Sequence, residues 1–299
     1  MKNRLYTGIP FFDECLGEGK ENPGFIAGSV ILLAADPGAG KSTLLRQMSA
    51  LTDLEVVYNV CEEGFEQVKM AIERMQLSEA FNVSNYTNID ELFEVLTKNP
   101  HAIVIIDSLQ NMYTDFDHKG NPLRGRPGSK AQVTTVTERI YAFAKQNLVT
   151  FFLICHSTKG GDFAGPQAVE HTVDVSLHID VIEDKESGAL FRTLKAEKNR
   201  FGQAFVDYHL TMTNMGLALG EGPAPQNTEA GKKKGKTNKT AVKKFAREVY
   251  GEGPDCQYGR EEFIKLLMEA SECEPHTAIS YYYMLRRELA HMQPTKAGK

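Results

Sequence analysis

Tryptophan is absent from the 299 residues, and no apolar run approaches the ~20 residues that a membrane-spanning helix needs. The opening residues, MKNRLYTGIPFFDE, lack the apolar stretch of a secretion signal, so the expected location is the cytoplasm. Cysteine is scarce and scattered: Cys15, Cys61, Cys155, Cys256 and Cys273 are odd in number and never form CxxC. That speaks against a disulfide framework and fits buried, reduced thiols. The set Cys256, Cys273, His276 and His291 matches none of the usual zinc spacings.

Positive charge is also in short supply, with 34 basic residues against 39 acidic ones and a net charge of −5. It is unevenly placed. Residues 232–247 hold seven lysines, one arginine and no acid, so the rest of the chain has 26 basic and 39 acidic residues, a balance of −13. A chain that repels polyanions overall has gathered its cations in one segment. That segment is either a solvated linker or an auxiliary contact to a phosphate backbone.

The apolar residues that are present, 41% of the chain, suffice for a sizeable core. Runs of strand length occur at Val30–Ala34, Val56–Cys61, Ile103–Asp107, Phe151–Cys155, Val173–Ile179, Leu190–Ala196 and Val206–Thr211. Helical periods lie between the earlier ones: Val68, Ile72 and Met75; Leu92, Phe93 and Leu96; Val133, Val136, Ile140 and Phe143. This alternation predicts an α/β fold with a mostly parallel central sheet. The last three strands follow with little helix between them, and are expected to extend the sheet as antiparallel edge strands. Residues 114–130 form a long aperiodic loop of the kind usually kept for function. Four parts follow: a core at 1–220, a basic linker at 221–240, a helical domain at 241–293 and a tail at 294–299. In the helical part, Phe263, Leu266, Leu267 and Ala270 form one stripe, with a turn at Glu274-Pro275 before a second helix. That second helix suits either a helix-turn-helix contact to DNA or a protein-docking module.

The strongest motif is Ala35-Asp36-Pro37-Gly38-Ala39-Gly40-Lys41-Ser42-Thr43, between an apolar strand and an amphipathic helix. Its glycines let backbone N–H groups turn in around phosphates at a helix N-terminus. Lys41 is placed to reach the β and γ phosphates of ATP, and the Ser42 hydroxyl to take Mg²⁺. Ala35 stands where the usual pattern has glycine. Asp107, ending an apolar strand about 65 residues on, is the expected second metal residue. Glu62 and Glu63 follow the second strand. Such a carboxylate either orients a water in the crevice beyond the strand ends or is a helix N-terminal acid. His156 ends the fourth strand, as a γ-phosphate sensor or as a structural histidine.

These residues, with TGIPFFDECLG, CEEGFEQVK, IVIIDSLQNMY, RPGSKAQV, HSTKGGDFAGPQAVEHTVD and the pentapeptide Lys198-Asn199-Arg200-Phe201-Gly202, resemble the RadA/Sms family of RecA-type ATPases from about Arg4 to Leu219. The resemblance implies a RecA-type core, ATP hydrolysis stimulated by single-stranded DNA, and a role in recombination, strand exchange, branch migration or repair. It implies that Glu62 is the catalytic glutamate and His156 the sensor. It also implies that Lys198 and Arg200 reach a neighbouring subunit's nucleotide, as an arginine finger does. The DNA-facing loops would carry Lys119, Arg124, Arg126, Lys130 and Lys159. The partners implied are single-stranded DNA and further copies of the chain, in a hexameric ring or a filament, with a single-strand-binding protein or a recombinase beside them. The chain departs from the family in lacking its four-cysteine zinc module and its Lon-like domain. It looks like a trimmed, phage-type relative, which would place it in a bacterial host's cytoplasm. Two rivals stand beside this reading: a DnaB-type replicative helicase, and an ATP-switched DNA-binding regulator.

Overall fold

The computed structural model describes residues 4–220, apart from 78–80, 100, 118, 157–166, 168 and 184–189, and then residues 246–247, 250, 260–271 and 285. The chain divides into two compact units, Met1–Ala224 and Pro225–Lys299. Among the described residues, no helix is long and apolar enough to cross a membrane.

The larger unit is an α/β structure built on a nine-stranded sheet. In chain order its elements are β1 (Arg4–Leu5), α1 (Pro10–Leu16), β2 (Phe25–Ile26), β3 (Val30–Ala35), α2 (Lys41–Leu51), β4 (Val56–Val60), α3 (Phe65–Arg74), β5 (Asn82–Ser84), α4 (Ile89–Lys98), β6 (Ile103–Asp107), α5 (Lys130–Asn147), β7 (Thr150–His156), β8 (Val175–Glu183), β9 (Leu190–Asn199), β10 (Asp207–Thr213) and β11 (Gly216–Leu219). The order across the sheet is β11-β10-β9-β8-β3-β7-β6-β4-β5, while β1 and β2 form a separate antiparallel pair.

Six adjacent strands, β8-β3-β7-β6-β4-β5, run parallel. Both faces of the inner strands β3, β7, β6 and β4 are covered, which is why their sequences are nearly continuous apolar runs. On β3, Ile31, Leu33 and Ala35 face one core with α1, α2 and α3, while Val30 and Leu32 face the other with α4 and α5. Strand β7 divides the same way: Phe152 and Ile154 go to the first core, and Phe151, Leu153 and Cys155 to the second. Each fully buried Val, Leu, Ile or Phe among these contributes about 1.5–3 kcal/mol.

One expectation is corrected. Strand β8 is parallel to β3, and only β9, β10 and β11 form the antiparallel extension. The chain therefore leaves β3 to build one side of the sheet and, after β7, crosses β3 to build the other. The C-terminal end of β3 lies at this switch point, where open α/β sheets form a crevice.

The 114–130 segment is less irregular than its composition suggests. Phe116 bridges Pro122 in a small hairpin closed by Asp117, whose carboxylate accepts from the Lys119 and Asn121 amides. The Gln132 carboxamide bonds both backbone groups of Thr114 and the Gly125 carbonyl.

In the smaller unit, α6 (Arg260–Ser271) buries Phe263 and Leu267, and the Phe263 ring meets Tyr250 edge-on at 5.8 Å. The expected linker, most of the lysine-rich stretch, all of the expected second helix but Leu285, and Lys159 lie outside the described residues.

Candidate nucleotide-binding site

The P-loop follows β3 and opens α2, as its sequence requires. Gly38 and Gly40 both have positive φ, +79° and +108°, which glycine adopts without steric cost. A side chain on Gly40 would also meet Met212 at 3.0 Å and Leu217 at 3.2 Å. Asp36, Pro37 and Gly38 are exposed, Ala39 is buried, and Ser42 and Thr43 are half-buried. The hairpin β10–β11 braces the helix behind them: the Gln47 side chain donates to the Leu217 carbonyl and accepts from its amide, at 3.0 and 2.9 Å.

Lys41 is 4% exposed, and its ammonium donates to the carbonyls of Ala35 (2.8 Å) and Asp36 (3.1 Å). Burial pushes its pKa down; the charges of Asp107, Asp36 and Glu62 oppose that shift. Polyphosphate is the ligand such a desolvated cation at a helix N-terminus favours.

Asp107 is 7% exposed, at the end of β6. Its Oδ2 accepts from the Tyr58 hydroxyl at 2.7 Å, and burial and the Asp107 charge hold that phenol well above its ordinary pKa. Its Oδ1 carries no hydrogen bond among the described residues. One free carboxylate oxygen and the half-buried Ser42 hydroxyl are hard oxygen donors of the kind Mg²⁺ takes, so these residues fit that ion.

The two glutamates after β4 separate. The Glu63 carboxylate pairs with Arg46, whose guanidinium lies 5.6 Å from the centre of the Tyr58 ring. Glu62 instead accepts at Oε1 from the Ser108 hydroxyl, and the same oxygen lies 3.4 Å from His156 Nε2. Helix α3 starts at Phe65, so neither glutamate lies within it. The order β3-β7-β6-β4 thus brings Lys41, His156, Asp107 and Glu62 to four neighbouring strand ends.

Several residues at the site were not singled out by type or spacing, although Ser108 and Gln110 lie within the segment IVIIDSLQNMY. Ser108 and Tyr58 hold the two acids. Gln110 donates to Cys155 Sγ (3.0 Å) and to the His156 carbonyl (3.2 Å). Burial raises the Cys155 thiol to about 12, so it stays protonated. Arg192, on β9, donates from Nε to the Ala39 carbonyl at 3.1 Å. A polar residue inside an apolar strand, such as Tyr58, is the one signal the sequence offered for any of them.

Lys198 and Arg200 do not join this group within one chain. They lie at the other end of β9, where Asn199 pairs with Val175, the first residue of β8. Lys198 Nζ donates to the carbonyls of Glu170 (2.7 Å), His171 (3.2 Å) and Val173 (2.7 Å), and burial, then Arg200, pushes its pKa down. Arg200 meets Asp174 Oδ1 at 3.2 Å and the Tyr141 hydroxyl at 3.1 Å. Asp174 is itself buried, accepts from Lys145 at 2.6 Å, and was not foreseen. Lys119, Arg124, Arg126 and Lys130 are all exposed, on the loop between β6 and α5 and on that helix's first residue.

Among known proteins, the chain is 35% identical to the DNA repair protein RadA of Salmonella typhimurium over 217 residues, which is 72% of this chain and 44% of the relative. It is 38% identical to the DNA repair protein RadA of Halalkalibacterium halodurans over 203 residues, 67% of this chain and 41% of the relative. The chain thus spans less than half the length of these curated relatives. No protein-family model matches it. A crystal structure of a KaiC-like protein from the archaeon Pyrococcus horikoshii superposes with a TM-score of 0.58 at 17% identity, covering 74% of this chain and all of that one. With its P-loop at the switch point of this sheet, the chain is a RadA-like member of the RecA-type ATPase family.

Proposed function

We propose that the chain hydrolyses ATP with Mg²⁺, that single-stranded DNA stimulates the hydrolysis, and that the energy drives DNA recombination or repair. The single observation that carries this reading is the convergence of Lys41, His156, Asp107 and Glu62 at four adjacent strand ends. Lys41 neutralises charge on the transferring phosphoryl group. Ser42 and Asp107 would hold the Mg²⁺, which, when bound, would draw negative charge off the phosphate oxygens. Glu62 takes the proton of the attacking water, because Glu63 is committed to Arg46. His156 stands beside Glu62 and senses the terminal phosphate.

Lys198 and Arg200 act in trans. They lie at the sheet edge away from their own P-loop, so the nucleotide they serve belongs to a neighbouring copy in a ring or filament. The exposed cations Lys119, Arg124, Arg126 and Lys130 meet the DNA backbone. ATP turnover is to be measured with and without an oligo-dT strand. Stimulation of tenfold or more supports the motor reading; the same slow turnover under both conditions overturns it.

A further inference from the structure

We infer that Ser108 is the positioning residue of the hydrolytic water: its hydroxyl fixes the Glu62 carboxylate through one oxygen and leaves the other for the proton. The inference rests on Glu62 as the general base and names what orients it. Ser108 is fully buried, directly follows the metal residue Asp107, and sits one strand away from Glu62. Its side chain donates to Glu62 Oε1, the oxygen that also lies beside His156 Nε2. Glu62 Oε2 accepts no hydrogen bond among the described residues.

A glutamate at the rim of a crevice has three side-chain torsions, and this one is 37% exposed. Left alone, it would sample orientations in which neither oxygen faces a water aligned with the γ-phosphate. A buried hydroxyl cannot follow such excursions. It therefore selects one orientation, and places the base at a constant distance from Asp107 along a single backbone step. Ser108 does not touch the water or the phosphate. It acts through Glu62, and misplacement of a reacting group by an ångström can cost about 10²-fold in rate.

The test uses the full chain under single-turnover conditions, with affinity read from a fluorescent ATP analogue. Ser108→Ala should lower the hydrolysis rate roughly tenfold to a hundredfold and leave nucleotide affinity within about twofold. Ser108→Cys, with a weaker donor of similar shape, should fall between wild type and Ser108→Ala, and it keeps the test open if the alanine variant does not fold. The deciding measurement is the double variant. If Ser108 acts only through the Glu62 carboxylate, Ser108→Ala should lower the rate no further in a Glu62→Gln background. Equal losses in both backgrounds would overturn the proposal, because Ser108 would then act on Asp107 or on the fold. An unchanged rate for Ser108→Ala would overturn it too. Near-normal turnover in Glu62→Gln would instead remove Glu62 as the base, a different failure read from a different variant.

Discussion

The two ends of β9 do opposite things. At its N-terminal end, Arg192 reaches back to the Ala39 carbonyl of its own P-loop. At its C-terminal end, Lys198 and Arg200 stand at the far edge of the sheet, tied to local carbonyls and to Asp174. A β-bulge separates the two regimes. Ala196 pairs with Leu177 but Lys198 pairs with Ser176, leaving Glu197 as the inserted residue. Strict alternation would put Lys198 on the face that Leu194 and Ala196 bury. The extra residue flips the parity, so Lys198 and Arg200 leave that face and Asn199 takes it. Asn199 then donates to the carbonyls of Cys15 and Leu16 at the end of α1, and Arg4 bonds the Phe201 carbonyl. The pentapeptide thus divides: Asn199 and Gly202 meet the end of α1 and Phe201 meets Arg4 of β1, while Lys198 and Arg200 turn to the segment 170–174.

The largest effect is expected from breaking the two ends separately. Lys41→Ala removes the cation from the chain's own site, and Arg200→Ala removes the one proposed to serve a neighbour. Each alone should lower ATP turnover by roughly 10³-fold, the lower end for an arginine finger. Mixed together, the two variants form some interfaces with an intact P-loop facing an intact Arg200, and turnover should partly return. A fully active monomer would show instead that the far end of β9 serves no neighbour.

A smaller effect tests the anchoring half. A Cβ on Gly202 would lie 1.8 Å from the Gly17 carbonyl oxygen, so the chain cannot pass there without moving α1 or the strand. Gly202→Ala should destabilise the larger unit by about 2–3 kcal/mol, or roughly 5–10 °C in Tm. Nucleotide affinity, measured well below that Tm, should stay near wild type, because the P-loop is at the other edge. Loss of affinity in step with stability would mean that the two ends are not independent.

This division also marks how far the sequence could be read. The P-loop and Asp107 follow from residue type, spacing and the strand–helix setting. By residue type and position Glu62 and Glu63 were indistinguishable; the resemblance chose Glu62, and Arg46, on a different element, takes Glu63. The parallel β8 was missed because the 150–211 region shows no helical period. The 18 residues between β7 and β8 were long enough for a crossover, and length was the better guide. Ser108 and Arg192 have no spacing that marks them, since their partners are set by strand order. The pentapeptide was legible as a signature. Its split was not, because a bulge exists only once two strands are paired.

The smallest effect should come from Arg192. Its Nε–H supplies one bond to the Ala39 carbonyl, from a strand that belongs to the antiparallel extension and not to the nucleotide crevice. Arg192→Ala leaves that carbonyl without its partner and the loop less constrained, while Lys41, Asp107 and Glu62 stay in place. A hydrogen bond to a charged donor contributes about 1.5–3 kcal/mol when buried, and solvent near a half-buried arginine reduces it. Affinity for a fluorescent ATP analogue should therefore fall by about three- to tenfold, equivalent to roughly 0.7–1.4 kcal/mol, with the rate at saturation little changed. Arg192→Lys should not restore it, because an ammonium on a flexible stem does not reproduce the fixed Nε–H of guanidinium. Lys195→Ala is the control: Lys195 lies on the same strand but pairs with Asp180 and Glu197 and does not touch the P-loop. If Lys195→Ala weakens nucleotide binding as much as Arg192→Ala, the effect belongs to the strand as a whole, and the near end of β9 is no more specific to the P-loop than its middle.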